Sequence, residues 1–307
     1  MENICCIILN YNDAETTKKL VGELRESKVI SHILVVDNCS LDGSWEALEE
    51  LAESDLWASD SHGPALHLMR TGENGGYGRG NQAGIDYAME YMNPAYILIA
   101  NPDIHVTDGC LLRLKEALEQ QERAALASAM VVSPAGQPLF SYWDLQPLWK
   151  DLLDTGPVTR RLLKHFLKTP LKKLPAAGDK AIRQVGAVPG SLFMLDMGCL
   201  GGGQAAELFD RNIFLYYEEK VLGQKLRSLG LKELLVTDAF YIHAHSVSIN
   251  KSVGKIADKQ RILHESKLYY YREYLHAGPW KMAAAKAFLA VVMAEVRFLT
   301  GVLHMRW

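Results

Sequence analysis

Four short apolar runs, residues 4–9, 33–36, 66–69 and 96–100, each pass into a polar or glycine-rich stretch and then into a segment with apolar residues three or four apart. This order constrains the fold more than any single residue. Strands alternating with helices build a mainly parallel, Rossmann-like sheet with right-handed crossovers and helices on both faces. Leu20, Val21 and Leu24 mark the first helical face, Trp45, Leu48 and Leu51 the second, Ile85, Met89 and Met92 the third, and Leu111, Leu114 and Leu118 the fourth. Open sheets of this kind bind ligands outside the carboxyl ends of their strands. That edge collects Asn10, Asp37, a loop over residues 72–80 with five glycines, and Asp103.

Beyond residue 132 the alternation lapses. Residues 133–184 read as an insertion rich in Pro, Trp and basic residues, and 185–255 resume the pattern as a second half of the same α/β domain. Within that half, residues 190–195 read as a buried strand, 201–203 as a flexible glycine turn, the stretch from Glu218 as a helix, and 234–236 and 240–242 as extended. A tail over 256–307 is helical, carries no site and is divided at Gly278-Pro279.

Hydrophobic residues at 49% and charged residues at 22% exclude a disordered chain, and a net charge of -3 gives no overall field for nucleic acid. Residues 157–184 nevertheless carry eight Lys/Arg against the single acid Asp179, +7 locally, leaving -10 for the rest. A local anionic partner fits that asymmetry. Five cysteines without a C-x-x-C pair indicate neither a zinc site nor a disulfide framework, and suit a reducing cytosol. Glu2 stands where a secretory leader would be basic, and no apolar stretch reaches ~18 residues, so the expectation is a cytoplasmic protein.

Read in order, Asn10-Tyr11-Asn12, Asp37-Asn38-x-Ser40-x-Asp42-Gly43, Glu73-Asn74-Gly75-Gly76-Tyr77-Gly78-x-Gly80-Asn81 and Asn101-Pro102-Asp103 resemble the family 2 glycosyltransferases with a GT-A fold, in particular their rhamnosyltransferase-like branch. Phe209-Asp210, Phe214-Leu-Tyr-Tyr-Glu-Glu219 and His243-x-His245-Ser246-x-Ser248 continue the resemblance. It implies that Asp37 contacts a nucleotide base beside Asn10, Tyr11 and Asn12. Asn74, Gly75 and Asn81 fall near the donor, and Arg79 is a candidate for its diphosphate or sugar. Asn101-Pro102-Asp103 takes the place of the family's D-x-D, which makes Asp103 the ligand of Mn²⁺ or Mg²⁺ and Asn101 a sugar or metal contact. His243 or His245 follows as a further ligand. Glu219 holds the place of the family's catalytic base, with Glu218 beside it, and which of the two acids faces the acceptor is open.

Each motif also has a plain structural reading. Asp37-Asn38 can form a turn with Ser40 capping the next helix, and Glu218-Glu219 can interact with a helix dipole. The expected activity is inverting transfer from a UDP- or dTDP-sugar to a glycan or lipid-linked acceptor in surface polysaccharide synthesis; the alternative is a nucleotide-sugar-binding protein without turnover. A nucleotidyltransferase would place a glycine-rich basic motif after the first strand, where this chain has Asn10-Tyr11-Asn12-Asp13. Residues 160–168 would form a basic amphipathic helix, either a solvated cover over the acceptor cleft or a peripheral contact with anionic lipid. The last helix is expected to pack in the core or form a homodimer face.

Overall fold

The computed structural model describes residues 3–54, 57, 63–167, 181–205, 207–244 and 256–301. Strands β1 (Ile4–Asn10), β2 (His32–Asp37), β3 (Ala65–Arg70) and β4 (Tyr96–Ala100) pair in parallel in the order β3-β2-β1-β4. They are joined by helices α1 (Ala14–Leu24), α2 (Ser44–Glu53) and α3 (Gly76–Tyr91). Alternate side chains of β1 go to opposite faces, as a period of two requires. Ile4, Cys6 and Ile8 pack with Leu20, Val21 and Leu24 of α1 and Leu48 of α2. Cys5 and Ile7 pack with Ile85 and Ala88 of α3 on the other face. The expected double cover is therefore present.

The second half departs from a parallel plan. After β5 (Ile104–His105) and α4 (Asp108–Gln120), which Thr107 caps by accepting from the Cys110 N–H at 3.3 Å, comes β6 (Ala124–Val132). Beyond the insertion, with short helices α5 (Leu148–Leu153), α6 (Pro157–Leu162) and α7 (Lys164–Leu167), lie β7 (Ile182–Val185) and β8 (Leu192–Asp196). β8 runs antiparallel between β4 and β6, and the nine-stranded sheet continues β8-β6-β9-β5 with β7 also on β9. The strand β9 (Lys232–His243) joins the two extended pieces expected from sequence, and its register on β6 shifts between Val236 and Phe240.

Two glycine-rich stretches differ from the sequence reading. The expected loop at 72–80 becomes the first turn of α3 from Gly76 onward, and residues 201–203 lie within α8 (Met197–Ala205), where Gly201 alone leaves helical geometry at φ 67°. α9 (Glu218–Ser228) begins where expected. The tail is two helices, α10 (Ile256–Glu273) and α11 (Pro279–Gly301), with Pro at the first position of the second. Ala285, Leu289, Val292 and Val296 form the buried stripe of α11, which is core packing. Among the described residues no helix is long and apolar enough to cross a membrane.

Candidate active site

Asn10 and Asp37 end adjacent strands in register. The Asp37 carboxylate is fully buried, however, and its oxygens are occupied internally. Oδ1 accepts from Asn10 Nδ2 at 2.8 Å and Ser40 Oγ at 2.5 Å, while Oδ2 accepts from the Ser40 N–H at 3.0 Å and lies 3.3 Å from Arg70 Nε. Asn10 is closed in turn by Thr17 Oγ1, which donates to its Oδ1 at 2.8 Å. The carboxylate thus ties the turn after β2 to β1 and β3, while Ser40 does not cap the next helix, which starts at Ser44 after Gly43 with no side-chain cap. Asn12, at φ 51°, braces the same turn: its N–H donates to Ser40 Oγ and its Oδ1 accepts from the Leu41 N–H.

Above this turn opens a cavity of about 380 Å³. Its lining includes Tyr11, Asn38, Asn74, Asn101, Pro102, Gly190, Glu218, Glu219 and His243. Asn38 fastens the wall, donating to Asn74 Oδ1 at 3.0 Å and to the Gly76 carbonyl at 3.2 Å. Gly76, at φ +84°, has no room for a side chain: a Cβ would sit 1.9 Å from the Phe214 carbonyl oxygen. The glycine-rich start of α3 therefore presses against the segment leading to the two glutamates. Gly75 and Arg79 instead line a second cavity of about 230 Å³, and Arg79 pairs with Glu73 at 2.7 Å. Asn81 is buried in α3, donating to the Tyr77 carbonyl at 3.0 Å.

Sheet pairing brings the candidate metal ligands together. Ile104 of β5 is the register partner of His243 at the end of β9, and the Ala244 N–H donates to the Asp103 carbonyl at 2.9 Å. Asp103 Oδ1 consequently lies 3.2 Å from His243 Nε2. Among the described residues no group of three or more His, Cys, Asp and Glu side chains converges. A carboxylate and an imidazole nonetheless fit a hard divalent ion that takes one or two protein ligands and fills its shell with phosphate oxygens and water. His245 lies outside the described residues.

The two glutamates differ in setting. Glu218 is 6% exposed, with no hydrogen-bond partner for Oε1 among the described residues. Burial and the adjacent Glu219 push its carboxyl well above the usual range. Burial also raises Glu219, but the Gly190 N–H, at 3.4 Å from Oε1, and Lys220 favour its charged form. Glu219 therefore ionises first. Gly190 is itself held by Tyr77, whose hydroxyl donates to its carbonyl at 2.5 Å. Glu233 of β9 accepts the Val188 N–H at 2.6 Å and is raised by burial and, to a lesser degree, by the charge of Glu219.

A buried centre not visible in sequence underlies α9. Asp151 of α5 accepts from the Tyr217 hydroxyl at 2.5 Å and the Tyr271 hydroxyl at 2.7 Å, and pairs with Lys220 and with Lys267 at 3.2 Å. Burial alone would raise this carboxyl; Lys267, Lys220 and the Tyr217 hydroxyl hold it well below the usual range. Tyr216 and Tyr217, at φ 69° and 74°, occupy the left-handed region immediately before the glutamates. Two consecutive non-glycine residues there store strain that Asp151 helps to hold.

Comparison with known proteins agrees with this architecture. The N-acetylglucosaminyl-diphospho-decaprenol L-rhamnosyltransferase of Mycobacterium tuberculosis (strain H37Rv) is 24% identical over 262 residues, 81% of this chain and 76% of that protein. The low-salt glycan biosynthesis hexosyltransferase Agl10 of Haloferax volcanii is 25% identical over 139 residues, 45% of this chain but 40% of that protein. In structure, GalNAc-T7 with UDP, GalNAc and Mn²⁺ superposes at a TM-score of 0.58 and 14% identity, over 99% of this chain and 57% of that chain. The mannosyltransferase PcManGT of Pyrobaculum calidifontis, with GDP-Man and Mn²⁺, gives 0.55 and 14%, over 95% and 75%. The fold is thus GT-A. Since the family model for glycosyl transferase family 2 matches residues 5–170, more than half of the sequence, the chain belongs to that family.

Proposed function

We propose that the protein is an inverting glycosyltransferase that moves a sugar from a nucleoside-diphosphate sugar to a hydroxyl of a glycan or lipid-linked acceptor. One observation carries the reading: a single cavity is bordered by the His243 imidazole beside Asp103 and by the Glu218-Glu219 pair. A divalent cation held by Asp103 and His243 would draw charge from the leaving diphosphate.

Glu219 takes the proton of the acceptor hydroxyl while that oxygen attacks the anomeric carbon on the face opposite the nucleotide. The bond to the diphosphate breaks with its electron pair going to the phosphate oxygen. One displacement inverts the stereocentre. A carboxylate raised by burial is a stronger base than an exposed one and suits this work near neutral pH. Burial and the neighbouring Glu219 favour the protonated form of Glu218 beside it, and the Gly190 N–H orients the Glu219 oxygen. Asn101, whose N–H donates to the Ser191 carbonyl at 2.8 Å, lines the same cavity and would meet the sugar. Tyr11, Asn38 and Asn74 border the part of the cavity left for the nucleotide, with Asp37 setting the turn beneath them. A diphospho-polyprenol acceptor, named for the mycobacterial relative, is the acceptor class we assign here, placing the reaction in surface-glycan synthesis at the cytoplasmic face of a membrane.

Incubation with a panel of UDP-, dTDP- and GDP-sugars plus Mn²⁺ tests the proposal. One donor should release its nucleoside diphosphate, and Glu219→Gln should leave nucleotide binding intact while abolishing transfer. Binding without turnover in the wild type, across donors and acceptors, would instead assign a nucleotide-sugar-binding protein.

A further inference from the structure

Among its described residues, the insertion between β6 and β7 exposes several large apolar side chains. α5 sends Leu152 inward and α7 sends Leu167 inward, but α6 buries none of its residues. Trp149 is 50% exposed, Leu162 76% and Phe166 59%. The rings of Trp149 and Phe166 lie 5.8 Å apart, so α5 and α7 contribute to one knuckle, with Leu162 and Leu163 at the break between α6 and α7. The single amphipathic helix expected over 160–168 is therefore two short helices. Their junction projects the apolar residues instead of packing them.

Arg160 and Arg161 are exposed beside this knuckle, and Arg160 also lies 3.3 Å from Asp154. They belong to the 157–184 segment, which carries eight basic residues against one acid. We propose that the knuckle docks on an anionic lipid surface, with Trp149, Leu162 and Phe166 entering the interface and Arg160 and Arg161 meeting headgroup phosphates. Exposed apolar side chains gathered on neighbouring helices call for an occupant, and apolar residues beside Arg160 and Arg161 in a sequence segment of net charge +7 have the composition of an interfacial anchor. A side chain protruding as far as Leu162 suits a fluid interface that moulds around it. An isologous dimer needs a self-complementary patch instead. The inference rests on the insertion alone, so it can fail while the transferase reading stands.

Flotation of the full chain with vesicles tests it, using phosphatidylglycerol mixed with phosphatidylcholine against phosphatidylcholine alone. The protein should float with the anionic vesicles only, and high salt should release it. Leu162→Glu with Phe166→Glu should reduce binding at least about tenfold, and Arg160→Gln with Arg161→Gln roughly fivefold per charge removed. All four positions are exposed, so wild-type melting temperatures are expected, and either pair suffices if the other misfolds. Absence of flotation, equal flotation with the neutral vesicles, or binding unchanged in a folded variant pair would overturn the proposal. So would a dimer in sedimentation velocity that the Leu162/Phe166 variant dissociates, in a protein that ignores vesicles.

Discussion

Glu218 and Glu219 are neighbours in sequence and opposites in expected response. Glu218 is 6% exposed and burial with the adjacent Glu219 pushes its carboxyl well above the usual range, which favours the uncharged form, so the uncharged isostere in Glu218→Gln should keep transfer within about tenfold of wild type. Glu219→Gln removes the base and should lower kcat by about 10² to 10⁴ with nucleotide affinity unchanged. Because burial raises Glu219, the acid limb of kcat against pH should lie above the ordinary carboxylate range; a limb at ordinary Glu values would mean that the base is solvated. Asp103, His243 and the two glutamates stand out in the sequence because each lies where an element starts or ends at the sheet edge, and the structure sets Asp103 against His243 and lines one cavity with His243 and both glutamates. Asn10, Asp37 and Asn81 fell at the same edge but point into packing, which no spacing reveals. Asn38 supplies the cavity wall that sequence reading gave to its neighbour, and Arg79 is turned aside by Glu73.

At the scale of elements, α9 depends on two others that lie far away in sequence. α5 provides Asp151 and α10 provides Lys267 and Tyr271, while Asp210, in the loop before α9, accepts from the hydroxyls of Tyr269 at 2.9 Å and Tyr274 at 2.5 Å. Asp151→Ala leaves two lysines without their carboxylate, one of them Lys267 with 4% side-chain exposure, and should destabilise by about 3–5 kcal/mol in urea unfolding. Tyr217→Phe removes one hydrogen bond to a charged group, about 1.5–3 kcal/mol, and should also lower kcat, since Tyr217 holds the strained turn before the base. Tyr271→Phe should cost similar stability without the loss of kcat. The tail was expected to be helical and without a site. Its helices were visible from periodicity, but the role of Lys267 was not, because a buried ion pair depends on long-range packing. The glycines at 76–80 read as loop because Gly is a poor helix former; the close approach of Gly76 to Phe214 explains why they stand in a helix.

Across the whole molecule, the parallel half was legible, and in the mixed half β8, α9 and β9 were legible while β6 and β7 were not. β1, β2 and β4 are continuous apolar runs, whereas β6 (Ala124–Val132) is rich in alanine, a weak strand former, and β7 has four residues. The cavity forms where these halves meet, at the β4–β8 junction, where Asn101 bonds to Ser191. Building the site there leaves buried carboxyls whose protons link to folding. Glu233, 4% exposed, is raised when folded, so its favourable contribution is complete below the unfolded value of about 4.3 and is lost as pH rises through its folded value. Glu233→Gln should therefore gain on wild type as pH rises from the unfolded toward the folded value, by up to about 1.4 kcal/mol per unit; a difference independent of pH across that window would contradict the burial argument. The most direct test of the central claim is calorimetric titration of UDP, dTDP and GDP into wild type and Asp103→Ala, with Mn²⁺ or with chelator. One nucleotide is expected to bind wild type with Mn²⁺ and to lose at least about tenfold in affinity in chelator or in the variant. Equal affinity in all conditions, or no binding by any of the three, would contradict a cation-assisted nucleotide-sugar site at Asp103 and His243.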